Sequence, residues 1–413
     1  MPYAFTLDDV AYLASEAGRD AVAGAAPLLT GDRLRAVTAL RERLGDRAAP
    51  VLETALLQER VRGRVPDGWL LTADAAEQAT AAPVAAHRAA RLAGRDVHEV
   101  TCSVGAELHA LRGTAARLVG SDLDPVRLAM AAVNVPGVAL ARADALAPVT
   151  RDTVLVADPA RRTAGGRRTW RPDDFKPPLD GLAEASGVRQ RWAIADVERP
   201  YRHTHELVVS TAPGLDPALA PWAGEVELVS LDGRVREAAL WSAGLATTAR
   251  RATVLSSRGG AWTVTDAEDD TCPVGPVGEW IVDPDGAVVR AGLVRQWGAR
   301  HGLWRLEEHL AYLTGDVRPP GVRAFRVLEH GRYGEKALRR TLAARGVGRA
   351  EVLVRGLDVD PNTLRPRLRL RGDREATIVL ARLASGPEAF VCEAVGDRVS
   401  ARSEPSCTTH GTP

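Results

Sequence analysis

Between residues 96 and 213 the chain repeats one pattern: a short apolar run, an end in small or acidic residues, then a helix-like segment. The runs are DVHEV, ARLVGSD, VALARAD, TVLVADP and ELVVSTAP. Strands alternating with helices in this way predict a parallel sheet with helices on both faces. GEVELVSLDG and RVREAALWS, joined at Asp232-Gly233, predict an antiparallel hairpin that finishes the sheet.

The rest of the chain is arranged around that block. Up to residue 70, LDDVAYLASEAG, GDRLRAVTALRERLG and PVLETALLQERVRG carry apolar residues at three- and four-residue spacing, which predicts a small helical domain over 1–70. The sheet domain spans 71–250 and opens with a helix from Asp74 to about Leu92, capped by Thr72 or Asp74. A mixed connecting region, 251–320, holds strand-like ATVLSS and AWTVTD and a helix in DPDGAVVRAGLVRQWG. Residues 321–400 then alternate strand, helix and strand as a compact α+β module. Residues 187–205 read as a variable insertion, and the tail SEPSCTTHGTP as disordered.

Composition fits a globular chain: 45% hydrophobic residues and a formal net charge of +1. No apolar run approaches the roughly 18–20 residues of a membrane span, and the N-terminus lacks signal-peptide character, so the cytoplasm is expected. Cys102, Cys272, Cys392 and Cys407 are scattered, which argues against a metal site or a disulfide framework. Only Lys176 and Lys336 are lysine, and the other 52 of the 54 basic residues are arginine. This skew weakens any arginine cluster as a sign of RNA and argues against a catalytic lysine.

Four positions at successive strand ends carry the chemistry. The first is the loop in EVTCSVGAELHAL, where Thr101, Cys102 and Ser103 precede a single glycine, Gly105. The second is Asp122, followed by Leu123. An acid leaving the second strand can accept hydrogen bonds from both hydroxyls of a ribose. The third is Asp144 with Ala145, placed to touch an adenine amino group. The fourth is DPARR, Asp158 to Arg162. Gly105, Asp122, Asp144 and Asp158 follow at intervals of 17, 22 and 14 residues, each with room for a helix and a strand. Any one of these acids alone reads more readily as a helix cap or a turn than as a ligand. Their order and spacing favour a nucleotide-type cofactor across the strand ends.

On these residues the chain resembles class I S-adenosylmethionine-dependent methyltransferases, whose sheet is Rossmann-like. Their first motif reads acid-x-Gly-x-Gly-x-Gly, and Glu99 to Gly105 falls onto it with two glycines replaced. The resemblance implies S-adenosylmethionine as cofactor, Glu99 facing the methionine amine, Asp122 on the ribose and Asp144 near the adenine. Thr101 and Ser103 are small enough for close backbone approach and offer hydroxyls to the methionine carboxylate. Asp158, Pro159 and Ala160 stand where amino methyltransferases carry Asn/Asp-Pro-Pro-aromatic. EQAT, the CSVG loop, DPARR, Ala212-Pro213-Gly214 and LDVDP…LRLRGDR are similar to a bacterial group with a THUMP-like C-terminal domain. Relatives of that domain bind structured RNA.

For a nitrogen acceptor, the Asp158 carboxylate and the Pro159 or Ala160 carbonyl would accept N–H hydrogen bonds. Pyrimidine C5 chemistry would need a cysteine near DPARR, and Cys102 lies in the cofactor loop instead. No aromatic follows Pro159, so Trp170 or Phe175 would have to stack on a flipped base. Arg161, Arg162, Arg167 and Arg168 form either a phosphate contact or a solvated loop. Residues 321–382 hold fifteen Arg/Lys against seven Asp/Glu, and LRPRLRLRG, read as a strand, puts Arg365, Arg367, Arg369 and Arg371 on one face. A structured tRNA or rRNA is the favoured substrate. A small-molecule methyltransferase and a non-catalytic protein binding S-adenosylmethionine or RNA remain as alternatives.

Overall fold

The computed structural model describes residues 3–26, 33–161, 171–188 and 205–394. Arg162, Arg167, Arg168, Trp170, most of the 187–205 insertion and the C-terminal tail lie outside the described residues. The chain divides into two compact units, Met1–Val226 with Ala238–Thr247, and Glu227–Glu237 with Thr248–Pro413.

The first unit opens with four helices: α1 (Leu7–Ala14), α2 (Glu16–Ala25), α3 (Arg33–Leu44) and α4 (Ala48–Arg60). The first expected helix breaks at Ser15, which is extended (ψ 163°) and whose Oγ accepts from Gly18 N at 3.1 Å as the N-cap of α2. The helix expected over 74–92 is also two, α5 (Ala73–Gln78) and α6 (Ala82–Arg91). Pro83 in the first turn of α6 has no N–H to donate, and its ring blocks a helix running in from Gln78. Thr72 caps α5, its hydroxyl accepting from Ala75 N at 3.2 Å.

The sheet follows: β1 (Asp96–Glu99), α7 (Ala106–Leu111), β2 (Arg117–Asp122), α8 (Pro125–Asn134), β3 (Ala139–Arg142), β4 (Val154–Ala157), α9 (Leu179–Ser186), β5 (Glu206–Thr211), β6 (Ala223–Leu231) and β7 (Arg234–Ser242). Strand order is β3-β2-β1-β4-β5-β7-β6. The first five strands are parallel, and β7 runs antiparallel to β5. The β6–β7 turn places Asp232 at φ 51° and Gly233 at φ 73°, the left-handed pair that a two-residue hairpin requires.

Period-two alternation sorts the central strands onto two cores. Leu155, Ala157, Leu207 and Val209 pack on Leu179, Leu182 and Ala183 of α9. Val154, Val156 and Val208 pack with Ala89, Leu92, Leu111 and Trp241. A third core joins Val10, Leu13, Val51 and Leu57 of the N-terminal helices to Cys102, Val104, Leu108 and Met130. The loop after β1 therefore sits on the helical region rather than in solvent.

The second unit contains the antiparallel pair β8 (Arg250–Leu255) and β9 (Ala261–Thr265). It also contains a seven-stranded sheet of β10 (Trp280–Asp283), β11 (Trp304–Arg305), β12 (Leu313–Gly315), β13 (Arg323–Arg332), β14 (Val347–Arg355), β15 (Arg374–Leu383) and β16 (Gly386–Ala394). Their order is β11-β12-β10-β13-β16-β15-β14. The helix expected within 283–298 is two short ones, Gly286–Arg290 and Val294–Arg300, separated at Gly292 by a φ of 68°.

The basic stretch corrects the strand expected of it: Pro361–Arg367 is a helix. Asp360 caps it, accepting from Asn362 N at 2.9 Å, and Pro361 stands at its start, where a proline costs nothing. Leu364 and Leu368, one turn apart, bury together in the core. Arg365, Arg367, Arg369 and Arg371 therefore do not share one strand face. Arg365 and Arg369 are exposed, Arg369 lies past the helix at φ 50°, and Arg367 ion-pairs with Glu335 at 2.6 Å. Among the described residues, no helix is long and apolar enough to cross a membrane.

Candidate active site

The loop after β1 is built by extending the ladder. Val100 N donates to Val156 O and Cys102 N to Ser121 O, both at 2.9 Å, so the chain stays in the sheet until it turns. It then turns through two left-handed residues, Ser103 at φ 48° and Gly105 at φ 94°. Replacing glycine by Ser103 has not removed the left-handed conformation. Ser103 N donates to Asp122 Oδ2 at 2.9 Å, which holds the serine there. Gly105 has no such latitude, because a Cβ would stand 2.8 Å from Val135 Cγ2 in an already left-handed backbone.

Asp122 also accepts from Asp124 N through Oδ1 at 2.9 Å. Its carboxylate clamps the loop to the end of β2, while each oxygen keeps a lone pair for a ligand. Asp144 accepts from Leu146 N at 2.9 Å and so fixes its own turn after β3. Thr101 Oγ1 accepts from Asp158 N at 2.8 Å, which joins the exits of β1 and β4 and leaves the hydroxyl proton to donate.

These ends enclose a cleft of about 660 Å³. Following the strand order, Asp144 and Ala145 line one side of its floor, Asp122 and Leu123 come next, then Glu99, Thr101, Cys102 and Ser103, and Asp158 and Ala160 line the other side. Gly105 stands just behind it as the first residue of the turn into α7. Pro159 and Arg161 are not in the lining, and Arg162 lies outside the described residues. One expectation is corrected: Phe175 is 2% exposed in the core and has no face to stack on a base. The Ala160 carbonyl accepts from Lys176 N at 3.0 Å, which leaves it one lone pair.

Electrostatics concentrate at Glu99. It is buried, it lines the cleft, and its Oε2 has no hydrogen-bond partner among the described residues. Burial, then the nearby Glu107 carboxylate, hold its carboxyl well above the usual range, while Arg88 pulls the other way. Arg88 is itself buried, ion-paired with Glu107 at 2.7 Å and donating to Ser210 Oγ at 2.6 Å. An unpaired buried acceptor costs on the order of 1–3 kcal/mol, so Glu99 is built to receive a donor from the cleft. The Cys102 thiol is buried and pushed up by burial and by Glu99, which leaves it unreactive.

Sequence reasoning missed a second wall. Asp74, Gln78 and Thr80 come from α5 and the turn after it, and Arg88, Glu107, Arg127 and Lys176 also line the cleft. The signal was the EQAT stretch, although Glu77 itself pairs with Arg60 at 3.1 Å. Asn134 holds this wall to the floor: its Nδ2 donates to Leu70 O and to Val104 O, both at 2.9 Å, and its Oδ1 accepts from Leu70 N at 2.8 Å.

Known proteins agree with this layout. Residues 322–394 match the model of the THUMP domain-like family. A crystal structure from Porphyromonas gingivalis W83, titled as that of a methyltransferase, superposes with a TM-score of 0.70 over 92% of this chain and 99% of that one. Its 17% identity makes this a likeness of fold. Two Mycobacterium tuberculosis proteins, from strains CDC 1551 / Oshkosh and ATCC 25618 / H37Rv, are each named an uncharacterized S-adenosylmethionine-dependent methyltransferase. Both are 49% identical to this chain over 374 residues, 86% of the chain and 99% of their own length. With likeness of that extent and a cofactor cleft at the strand ends, this chain belongs to the S-adenosylmethionine-dependent methyltransferases.

Proposed function

We propose that this methyltransferase modifies a nitrogen of a structured RNA, a tRNA or an rRNA, in the cytoplasm. The observation that carries the reading is the THUMP domain-like region itself, 322–394, most of which coincides with the stretch 321–382 that holds fifteen basic against seven acidic residues. Arg365 and Arg369 are exposed there as phosphate contacts, whereas Arg367 is held by Glu335 and contributes less.

In the cleft, the unpaired Glu99 carboxyl receives the methionine ammonium, and Thr101 and Ser103 offer hydroxyls to its carboxylate. Cys102 and Gly105 keep the backbone close. Asp122 retains one lone pair per oxygen for the ribose hydroxyls, and Leu123, Asp144 and Ala145 border the adenine. The bound cofactor supplies a methyl group activated by the positive sulfonium. The task left to the chain is to align the acceptor and exclude water. The Asp158 carboxylate accepts an N–H hydrogen bond and turns the nitrogen lone pair inward. Asp158 would also take up the proton that the nitrogen loses on methylation.

The test is transfer of label from the radiolabelled cofactor to total RNA from cells lacking the protein and to wild-type RNA. Label entering only the RNA from deficient cells supports the reading. Label entering neither overturns RNA as the substrate.

A further inference from the structure

The cleft wall is rich in carboxylates, with Asp74, Glu99, Glu107, Asp122, Asp144 and Asp158 all in the lining. Three cations share it, and two of them are engaged. Arg88 is buried against Glu107 and Ser210. Arg127 ion-pairs with Asp74 at 3.8 Å and with Asp124 at 3.5 Å. The third, Lys176, is exposed at the cleft and makes no ion pair among the described residues.

Its backbone is nevertheless fixed. Ala160 N donates to Lys176 O at 2.9 Å and Lys176 N donates to Ala160 O at 3.0 Å, an antiparallel bridge two residues beyond Asp158. Phe175 on one side and Leu179 on the other are buried anchors. A free ammonium on a pinned backbone beside the proposed acceptor-orienting residues is a binding device rather than a solvated surface charge. An ammonium is a compact point charge that takes a phosphate oxygen without demanding a bidentate geometry.

We infer that Lys176 binds a phosphate of the acceptor RNA next to the nucleotide being methylated and sets that nucleotide against Asp158. The inference rests on the RNA reading and adds a specific contact to it. The phosphate offsets the one lining cation without an ion pair among the described residues, and this cation in turn lowers the repulsion an RNA backbone meets near six carboxylates.

The experiment uses the full-length protein, total RNA from cells lacking it, and the radiolabelled cofactor. Lys176→Ala is expected to raise KM for RNA about tenfold and to lower the slope of log KM against log salt by about one phosphate contact. Lys176→Arg should recover most of that loss, and calorimetry should show cofactor affinity within twofold of wild type for both variants. A Lys176→Ala enzyme with unchanged KM and salt slope overturns the inference while leaving the RNA reading intact. A weakened cofactor affinity overturns it in favour of a cofactor contact. Failure of the wild-type enzyme to label RNA sinks the RNA reading itself, and the phosphate contact with it.

Discussion

At 101–103 the backbone N–H groups of Cys102 and Ser103 and the Thr101 hydroxyl are tied to other parts of the fold, while at 365–371 the charged groups stand mostly in solvent. Ser103 N is held by Asp122, Thr101 Oγ1 by Asp158 N, and Cys102 N by Ser121 O. Arg365, Arg369 and Arg371 are exposed, on a helix and a turn that a pair of leucines fastens to the core. On the proposed function, the first region recognises by geometry, with donors and acceptors fixed before a ligand arrives, and the second by charge, which tolerates movement and is screened by salt. A small molecule bound on all sides rewards the first arrangement, and a long polyanion the second.

The sharpest break in this contrast is Gly105→Val. Its Cβ meets Val135 in a left-handed backbone. The strain is on the order of 3 kcal/mol, about a hundredfold in affinity, and calorimetry should find cofactor binding lost. Retained binding would mean that the loop is only a connection. A smaller effect comes from Glu99, whose burial and Glu107 neighbour favour the protonated form in the free protein. A bound ammonium favours the carboxylate, so cofactor affinity should rise with pH through Glu99's elevated range and level off above it. Glu99→Gln should weaken binding about tenfold and flatten that rise relative to wild type. The smallest effect tests the other region. Asp360→Ala removes the cap of the Pro361–Arg367 helix and should cost about 1 kcal/mol of stability in urea unfolding, with Asp360→Asn restoring most of it. A segment that were a strand would be indifferent to both.

The two regions also differ in how far the sequence alone reveals them. Strand ends in the first unit follow from local pattern: apolar runs bounded by Glu99, Asp122, Asp144 and Asp158 sit at the cleft because parallel strands all end on one side. The wall from α5 depended on Pro83 breaking a helix and on Asn134 reaching back to Leu70, a contact 64 residues away in the chain that no window shows. LRPRLRLRG misled because its leucines satisfy two periods at once. Leu364 and Leu368 are four apart, which suits a helix, while the intervening arginines alternate as in a strand. Asp360 and Pro361 decided between them, and these were the local signals to weigh. β16 was missed altogether, its glycine and proline start suggesting a turn.

Asn134 carries a consequence for how the cleft opens. One side chain grips the backbone on both sides of the gap, at Leu70 and at Val104. Loosening the wall therefore strips a half-buried amide of the same bonds that steady the floor, and neither can relax alone. Wall and floor become a single cooperative element, with local fluctuations at one felt at the other. A ligand that orders the loop would then quieten the helix across from it without touching it.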